Sequence, residues 1–388
     1  MPYHQLTAMV LLVNIVIAVT VPSLTADVVA DLTTTNFVLA FAVRQQSVVN
    51  ILFEVVARAP HRWPLRLRWS LAKVYHHGGI HVGTTISGSV WAGVLAVVLT
   101  HDRAPAALVV TTWTLVAALF VICFLASPPM RHHHHDLFEA SHRFGGWATL
   151  AILWVQTVLA GRALWPLVVL SVLVVIPWLR LRRVPVSVER PSDHVAIATL
   201  ADGTRPAPGS YTAISRHPFG QWHGFALVPR PGDGNFRILV SRAGNWTADF
   251  IDSPPAHLWI KGLPTAGVAS IATTFTSVLW VATGSGIAPV LPHLLARPAN
   301  SHLLWVGRSP RKTYGDALVD EVEGSSASAT IVDTTLSGKP DTAALARQVQ
   351  LDVGAEAVIC ISNKPLTWKV VRTLTAYGIP AFGAIWDS

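Results

Sequence analysis

The sequence predicts a membrane α-helical bundle of six spans, followed by a soluble module with an antiparallel β-barrel and a doubly wound α/β nucleotide-binding domain. Three observations carry this. Of 388 residues, 51% are hydrophobic and 13% charged, about half the charge of an ordinary soluble domain; mean hydropathy is +0.46. The apolar excess lies in residues 1–183. From residue 184 on, strand-like and helical runs alternate as in a soluble α/β protein.

A spanning helix needs about 20 mostly apolar residues. Segments 6–25, 37–57, 77–99, 106–127, 144–160 and 163–179 meet or approach this, the last two joined by Gly161-Arg162-Ala163 as a helical hairpin. Arg44, inside the second segment, reaches an interface by extending its stem. Ser23-Leu24-Thr25-Ala26 has the small residues of a signal cleavage site. No Lys or Arg precedes Arg44, however, so a retained helix is expected. Arg58, Arg62, Arg66, Arg68 and Lys73 separate spans two and three; Arg131 and Arg143 flank the next loop on that side; Arg180, Arg182 and Arg183 follow span six. The opposite loops carry little beyond Arg103 and Arg162. The positive-inside rule therefore places the N-terminus and the whole C-terminal half in the cytoplasm. This accounts for much of the net charge of +8 and removes the case for nucleic acid. The sequon at Asn245-Trp246-Thr247 would stay unmodified there. Cys123 and Cys360, the only cysteines, make no disulfide framework.

Histidine is costly in a bilayer and marks function there. Span three opens with Tyr75-His76-His77-Gly78-Gly79-Ile80-His81; span five opens with Ser141-His142-Arg143-Phe144-Gly145-Gly146. Two neutral imidazoles offered across a bundle ligate a haem iron from both faces, and glycines let a flat ring approach the backbone. The ligand pair would be His77 and His142, with His81 or His76 as alternatives. The competing reading seats these histidines among lipid headgroups. His132–His135 has metal-binding composition but reads as a solvated loop.

Strand-like runs at 186–200, 210–214, 223–228 and 236–241 predict the barrel. The buried-type run Val278–Ala282 leads into Thr283-Gly284-Ser285-Gly286-Ile287-Ala288-Pro289. Strands at 302–306, 329–333 and 357–361 alternate with helices at about 341–353 and 366–377, a doubly wound pattern. A glycine turn between strand and helix presents backbone N–H groups to a phosphate. Arg308, Arg311 and Lys312 follow a strand, where a 2′-phosphate is read; such a cluster is also a common solvated loop.

The order of parts resembles the ferric reductase–NADPH oxidase superfamily, and within it the fungal TmpA-like integral membrane proteins. The residues that carry the likeness are Tyr75-His76-His77-Gly78-Gly79, Phe138-Glu139-x-x-His142-Arg143-Phe144, Gly244-x-Trp246-Thr247, Gly338-Lys339-Pro340-Asp341 and Gly383-Ala384-Ile385-Trp386-Asp387-Ser388. The resemblance implies a ferric-reductase-like membrane domain over 1–183, an FAD-binding barrel over 184–272 and an NAD(P)-binding domain over 273–388, the last two forming a ferredoxin-reductase-like module. It implies that FAD lies on His223, Phe225 and Ala226, where the family has His-Pro-Phe-Ser/Thr; His217-Pro218-Phe219 is a second version. Gly244, Trp246 and Thr247 would hold its pyrophosphate. Thr283, Gly284, Ser285, Gly286 and Pro289 would receive NAD(P)H, and Arg308 its 2′-phosphate. Trp386 would stack on the flavin ring or pack in the core.

The chain departs from the family. The flavin hydroxyl is missing. Trp91 and residues 154–156 stand where outer-side haem ligands belong, so at most one haem b, at the inner side, is implied. Trp259–Pro264 replaces the family's Asp-Gly-Pro-Tyr-Gly loop. Cys360-Ile361-Ser362 replaces the Cys-Gly-Pro that faces the nicotinamide, with Cys360 read either as that cysteine in a shifted frame or as a buried strand residue. The implied function is electron transfer from NAD(P)H through FAD to that haem. The alternative is an inactive membrane sensor or signalling protein, working beside an adenylate-forming enzyme. A transporter would need broken helices and paired intramembrane charges, which are sparse.

Overall fold

The computed structural model describes residues 2–229 and 234–384. Its internal contacts divide the chain into a helical unit, residues 1–48 and 76–179, and a second unit built from 49–75 and the chain from 180 onward.

In the helical unit, three helices are long and apolar enough to cross a membrane: Pro2–Thr20, Gly78–His101 and Ala106–Leu125. Ala26–Ala42 and Gln46–Ala57 qualify only as a pair bent by 66°. Six spans were expected, and the difference has local causes. The polar run Arg44-Gln45-Gln46 interrupts the second segment, where the Gln45 amide donates to Leu173 O at 2.7 Å. Gly146–Leu159 and Trp165–Leu179 have 14 and 15 residues. At 1.5 Å per residue Trp165–Leu179 reaches about 22 Å, short of the roughly 30 Å hydrocarbon core, while Gly146–Leu159 is the regular part of a helical run that a π-type turn, Ser141–Gly145, interrupts.

Glycines set the packing. A Cβ on Gly79 would lie 2.3 Å from Tyr3 O, and one on Gly83 2.7 Å from Val10 Cβ. This four-residue spacing of small residues lets the first helix lie against Gly78–His101. The Thr7 hydroxyl closes the contact by donating to Gly79 O at 3.0 Å. On this helix, the space at Gly79 and Gly83 is thus taken up by another helix, whereas Gly146 on the facing span has nothing within 4 Å of an added Cβ. Further along, Asn36 Nδ2 and Trp91 Nε1 each donate to Asn14 Oδ1 at 2.9 Å. Trp91 is therefore a member of a partly buried polar network.

The second unit contains two sheets. Seven antiparallel strands, β1 (Arg182–Glu189), β2 (Val195–Leu200), β3 (Ser210–Ser215), β4 (His223–Ala226), β5 (Val228–Pro229), β6 (Phe236–Ser241) and β7 (His257–Ala266), run in the order β4-β3-β7-β1-β2-β6-β5. The expected barrel is not closed: β4 and β5, four and two residues long, are the sheet's two edges among the described residues. The run 186–200 is a hairpin, split where the Ser192 hydroxyl accepts from the backbone N–H groups of His194 and Val195. Trp259–Pro264, placed opposite a family loop, lies within β7.

The second sheet holds β8 (Val278–Thr283), β9 (Ser301–Gly307), β10 (Ser328–Asp333), β11 (Ala357–Ile361) and β12 (Ala381–Gly383), all parallel, in the order β10-β9-β8-β11-β12. The apolar runs of β8 and β11 are buried on both faces, as central strands of such a sheet require.

Residues 49–75, which contain most of the basic loop expected after span two, form a strap on this unit. Asn50 donates to Pro264 O and accepts from Ala266 N–H, at 2.9 and 2.8 Å. Arg68, only 4% exposed, donates to Thr274 O and pairs with Glu356. Burial pushes the Glu356 carboxyl up, but Arg68 and Thr276 outweigh it and hold the group below its ordinary value. Tyr75 packs edge-on against Phe382, and burial pushes its hydroxyl up to about 12.

Candidate functional site: a nucleotide turn, an aromatic strand and a histidine pair

The chain reverses direction between β8 and β11, so the crevice at their carboxyl ends is the topological switch point. Thr283–Pro289 stands there. Gly284 has φ +51°, and its carbonyl accepts from Trp305 Nε1 at 3.0 Å. A Cβ on Gly286 would lie 2.2 Å from Ile361 O, so only glycine lets the turn pass the end of β11. The helix Ile287–Ala296 follows, giving the turn the N-terminal setting that favours phosphate. Across the crevice the Thr283 and Ser362 hydroxyls meet at 2.5 Å. Sequence reasoning missed Ser362, although it follows the apolar run of β11 just as Thr283 follows the apolar run Val278–Ala282. Cys360 is wholly buried, and burial pushes its thiol up to about 12. That is the setting of an inert strand residue.

Of the basic cluster, Arg311 is committed to Asp320, Asp316 and Glu323, which hold its guanidinium pKa above the ordinary value. Arg308 is exposed just past β9. Ser309, at φ +44°, is held by Asp333, which accepts its N–H at 2.9 Å.

His223, Phe225 and Ala226 lie on edge strand β4, while His217-Pro218-Phe219 lies in the loop before it. The Trp246 ring stands 4.3 Å from His223, 5.9 Å from Phe225 and 5.5 Å from Phe250. Gly244 caps the helix Asn245–Asp252, and the Thr247 hydroxyl accepts from the N–H groups of Ala243 and Gly244 at 2.9 and 3.0 Å. Arg216 braces the helix from the side through Asp249. The two motifs expected to hold flavin are therefore adjacent, joined by Trp246. Trp386 lies outside the described residues.

In the helical unit the ring that faces His142 is His81, the alternative ligand, with centroids 6.4 Å apart and planes at 72°. His81 Nδ1 is 2.9 Å from Ala40 O, which leaves Nε2 as its ligating nitrogen. A metal–imidazole bond of about 2.0 Å on each side, plus the ring radii, spans roughly this distance. His142 sits in a π-type turn, Ser141–Gly145, a distortion common at functional positions. Among the described residues, no group of three or more His, Cys, Asp or Glu is placed to hold a metal ion, His132–His135 included.

An antiparallel flavin-type sheet followed by a doubly wound parallel sheet is the ferredoxin-reductase-like FAD/NAD(P)-binding arrangement. Residues 268–388 match the family model described as the C-terminal domain of adenylate-forming reductase 03009. Over its full length the chain is 36% identical to adenylate-forming reductase 03009 and 34% identical to adenylate-forming reductase 06235, both from Coprinopsis cinerea. It spans 40% of the length of each. Among solved structures, a ferredoxin NADP+ reductase from Neisseria gonorrhoeae with bound FAD and NADP is 13% identical, with a TM-score of 0.43 over 53% of this chain and 98% of that one. A flavohemoglobin from Malassezia yamatoensis with bound FAD and heme is 15% identical, with a TM-score of 0.44 over 94% of this chain and 99% of that one.

Proposed function

We propose that the chain is a membrane-bound reductase-like module that binds NAD(P)H at the Thr283–Pro289 turn and FAD along β4 and the Asn245–Asp252 helix. The observation that carries this is the Gly286 passage at the switch point, where a nucleotide turn is built so tightly that no side chain fits. Arg308 is the side chain placed to read a 2′-phosphate. The N-terminus of the Asn245–Asp252 helix presents N–H groups to the flavin pyrophosphate, and β4 offers an open edge to the ring. Bound flavin supplies the conversion between two-electron and one-electron transfer. His81 and His142 are the residues fit to hold one haem b, His81 oriented by Ala40 O. No second pair is present at Trp91, which favours an acceptor at the inner side.

The helical unit would lie in the bilayer with its basic side and the reductase-like unit in the cytoplasm. Its exposed apolar side chains support this, among them Val19 and Phe120 at 79% and 70% exposure. The relatives' names join adenylate formation to reduction, and this chain covers two fifths of them. We therefore place the module beside an adenylate-forming activity, in the same chain or in a partner.

A second reading, a nucleotide-binding sensor without turnover, is favoured by the burial of Cys360 and the missing hydroxyl at Ala226. Absorption of the full chain purified in detergent separates the two. Flavin bands bleached by NADPH support the reductase; flavin bands that NADPH leaves unchanged support the sensor. No flavin after reconstitution sinks both. A haem Soret band lost in His142→Ala and His81→Ala, but kept in His77→Ala, would assign the iron ligands.

A further inference from the structure

The strap of residues 49–75 has two faces, and its unit uses one of them. On the helix Gln46–Ala57, Val49, Phe53 and Val56 recur at the spacing of one helix face and are buried. Val49 and Phe53 join the core beneath the parallel sheet. Ile51 and Val55, on the opposite face, are exposed. Further along, Trp63 and Leu67 stand exposed, 40% and 44%, four residues apart. They alternate with Arg62 and Arg66, which are exposed too and make no ion pair among the described residues. Arg68 alone of this run turns inward, to Glu356. Glu54, the one acid of the strap, is taken by Arg58. The outer face therefore carries two uncompensated positive charges beside four exposed apolar side chains.

Nucleic acid would satisfy the arginines and leave Ile51, Val55 and Leu67 in water. A lipid surface with acidic headgroups meets both needs. Apolar side chains enter the acyl boundary, while guanidinium groups stay with the phosphates. Tryptophan is enriched at that level. Chain continuity points the same way. The strap leaves the helical unit at Val48 and returns to it at His76, so both its ends are tied to that unit. We propose that the outer face of the strap docks on anionic phospholipid headgroups at the cytoplasmic surface of the bilayer. This rests on the bilayer placement given above. The inner face grips Thr274 O and Glu356, which stand just before β8 and β11. Lipid composition would thereby bear on the two strands that flank the nucleotide crevice.

The test uses the full chain, with Cys123→Ala, in phosphatidylcholine nanodiscs. These contain an equal minor fraction of either phosphatidylserine or phosphatidylcholine brominated near the headgroup end of its acyl chains. A thiol-linked fluorophore is placed at Leu67→Cys or, in a second chain, at Phe120→Cys; Cys360 is wholly buried and stays unlabelled. Phe120, exposed on the helix Ala106–Leu125, reports insertion itself and should be quenched by both lipids alike. The label at Leu67 should be quenched about twofold more by brominated phosphatidylserine than by brominated phosphatidylcholine. Arg62→Gln with Arg66→Gln should remove that excess. Raising the salt from about 0.1 to 1 M, which shortens the Debye length from about 10 to about 3 Å, should remove it with both arginines in place. Quenching at Phe120 with none at Leu67, or with equal quenching there by the two lipids, overturns the docking surface and leaves the bilayer placement standing. An excess that survives both the substitutions and the salt also overturns it. No quenching at either label sinks the placement and the surface together.

Discussion

The two units satisfy their polar groups in opposite ways. In the helical unit Thr33, Thr34, Thr85, Ser89, Thr100, Thr112, Thr114 and Thr157 each donate to the carbonyl four residues back on the same helix. In the second unit side chains reach across elements: Arg68 to Glu356, Arg182 to Asp202, Arg237 to Glu321, and Ser192 to Thr313 O. In the bilayer placement proposed above, water would be no alternative partner, and a hydroxyl's own helix is the nearest source of one. With water available, charged pairs between strands and helices become affordable. Not every polar group in the helical unit keeps this local habit: the Asn14 network, Gln45 to Leu173 O and Thr7 to Gly79 O join one helix to another.

The contrast predicts where each unit is fragile. Removing one partner of a buried ion pair leaves the other charged and unpaired. Arg68→Ala should therefore cost the second unit about 3 kcal/mol, the low end for such pairs because Glu356 keeps 19% side-chain exposure. The strap should become protease-sensitive while the helical unit stays resistant. A variant as stable as the parent would show that the strap is only a cover. Replacing both partners, as Arg68→Met with Glu356→Leu, should recover most of the loss.

Next in size is Gly286→Ala. Its Cβ would meet a backbone oxygen, which cannot swing aside. We expect a loss of about 2 kcal/mol together with loss of NADPH binding by calorimetry. Gly79→Ala makes the equivalent collision with Tyr3 O in the helical unit. It should loosen the first helix and leave nucleotide affinity intact. If Gly79→Ala abolished nucleotide binding, the two units would not be energetically separable as the contrast requires.

A different kind of effect, spread over pH, follows from His293. It is fully buried, stacked on Trp280 at 4.6 Å, and burial pushes its pKa down to about 3. The folded state therefore refuses a proton that the unfolded chain takes up near pH 6.5. Stability should fall as pH drops from 6.5 toward 3, by up to about 1.4 kcal/mol per pH unit. His293→Gln should flatten this slope in the second unit only. An unchanged slope would mean that the acid sensitivity comes from other groups, Glu356 first among them. Its depressed carboxyl pKa gives stability that is lost only at lower pH, below its ordinary value of 4.5.

How much could be read in the chain depended on the same division. Four strands of the parallel sheet, β8, β9, β10 and β11, were legible to within a residue at each end, while the three-residue edge strand β12 was not read at all. The barrel was half legible. Its strands alternate, but closure depends on the lengths of β4 and β5, which no periodicity encodes. The span count erred because hydropathy sums composition and ignores a short polar break such as Arg44-Gln45-Gln46. The strap was invisible: a run of arginines reads as a solvated loop until Glu356, nearly 300 positions on, supplies a partner. At the histidine pair, the helix period favoured no one member of His76, His77 and His81. Their difference lies in which one the helix rotation turns toward His142.

Arg308 and Arg311 give the finest test, since both follow β9 and the sequence reading assigns the 2′-phosphate to Arg308. Arg311 is bound to three acids, while Arg308 projects past the end of β9. An arginine that reads a 2′-phosphate contributes a charge-assisted contact that NADH lacks. Arg308→Ala should therefore weaken NADPH binding about tenfold, roughly 1.4 kcal/mol, and leave NADH unchanged. Arg311→Ala should leave the ratio of the two affinities as it was, because its charge is already spent on Asp316, Asp320 and Glu323. The reverse result would mean that those acids release Arg311 when the nucleotide arrives. The crevice would then be an induced site, unlike the rigid passage that Gly286 builds beside it.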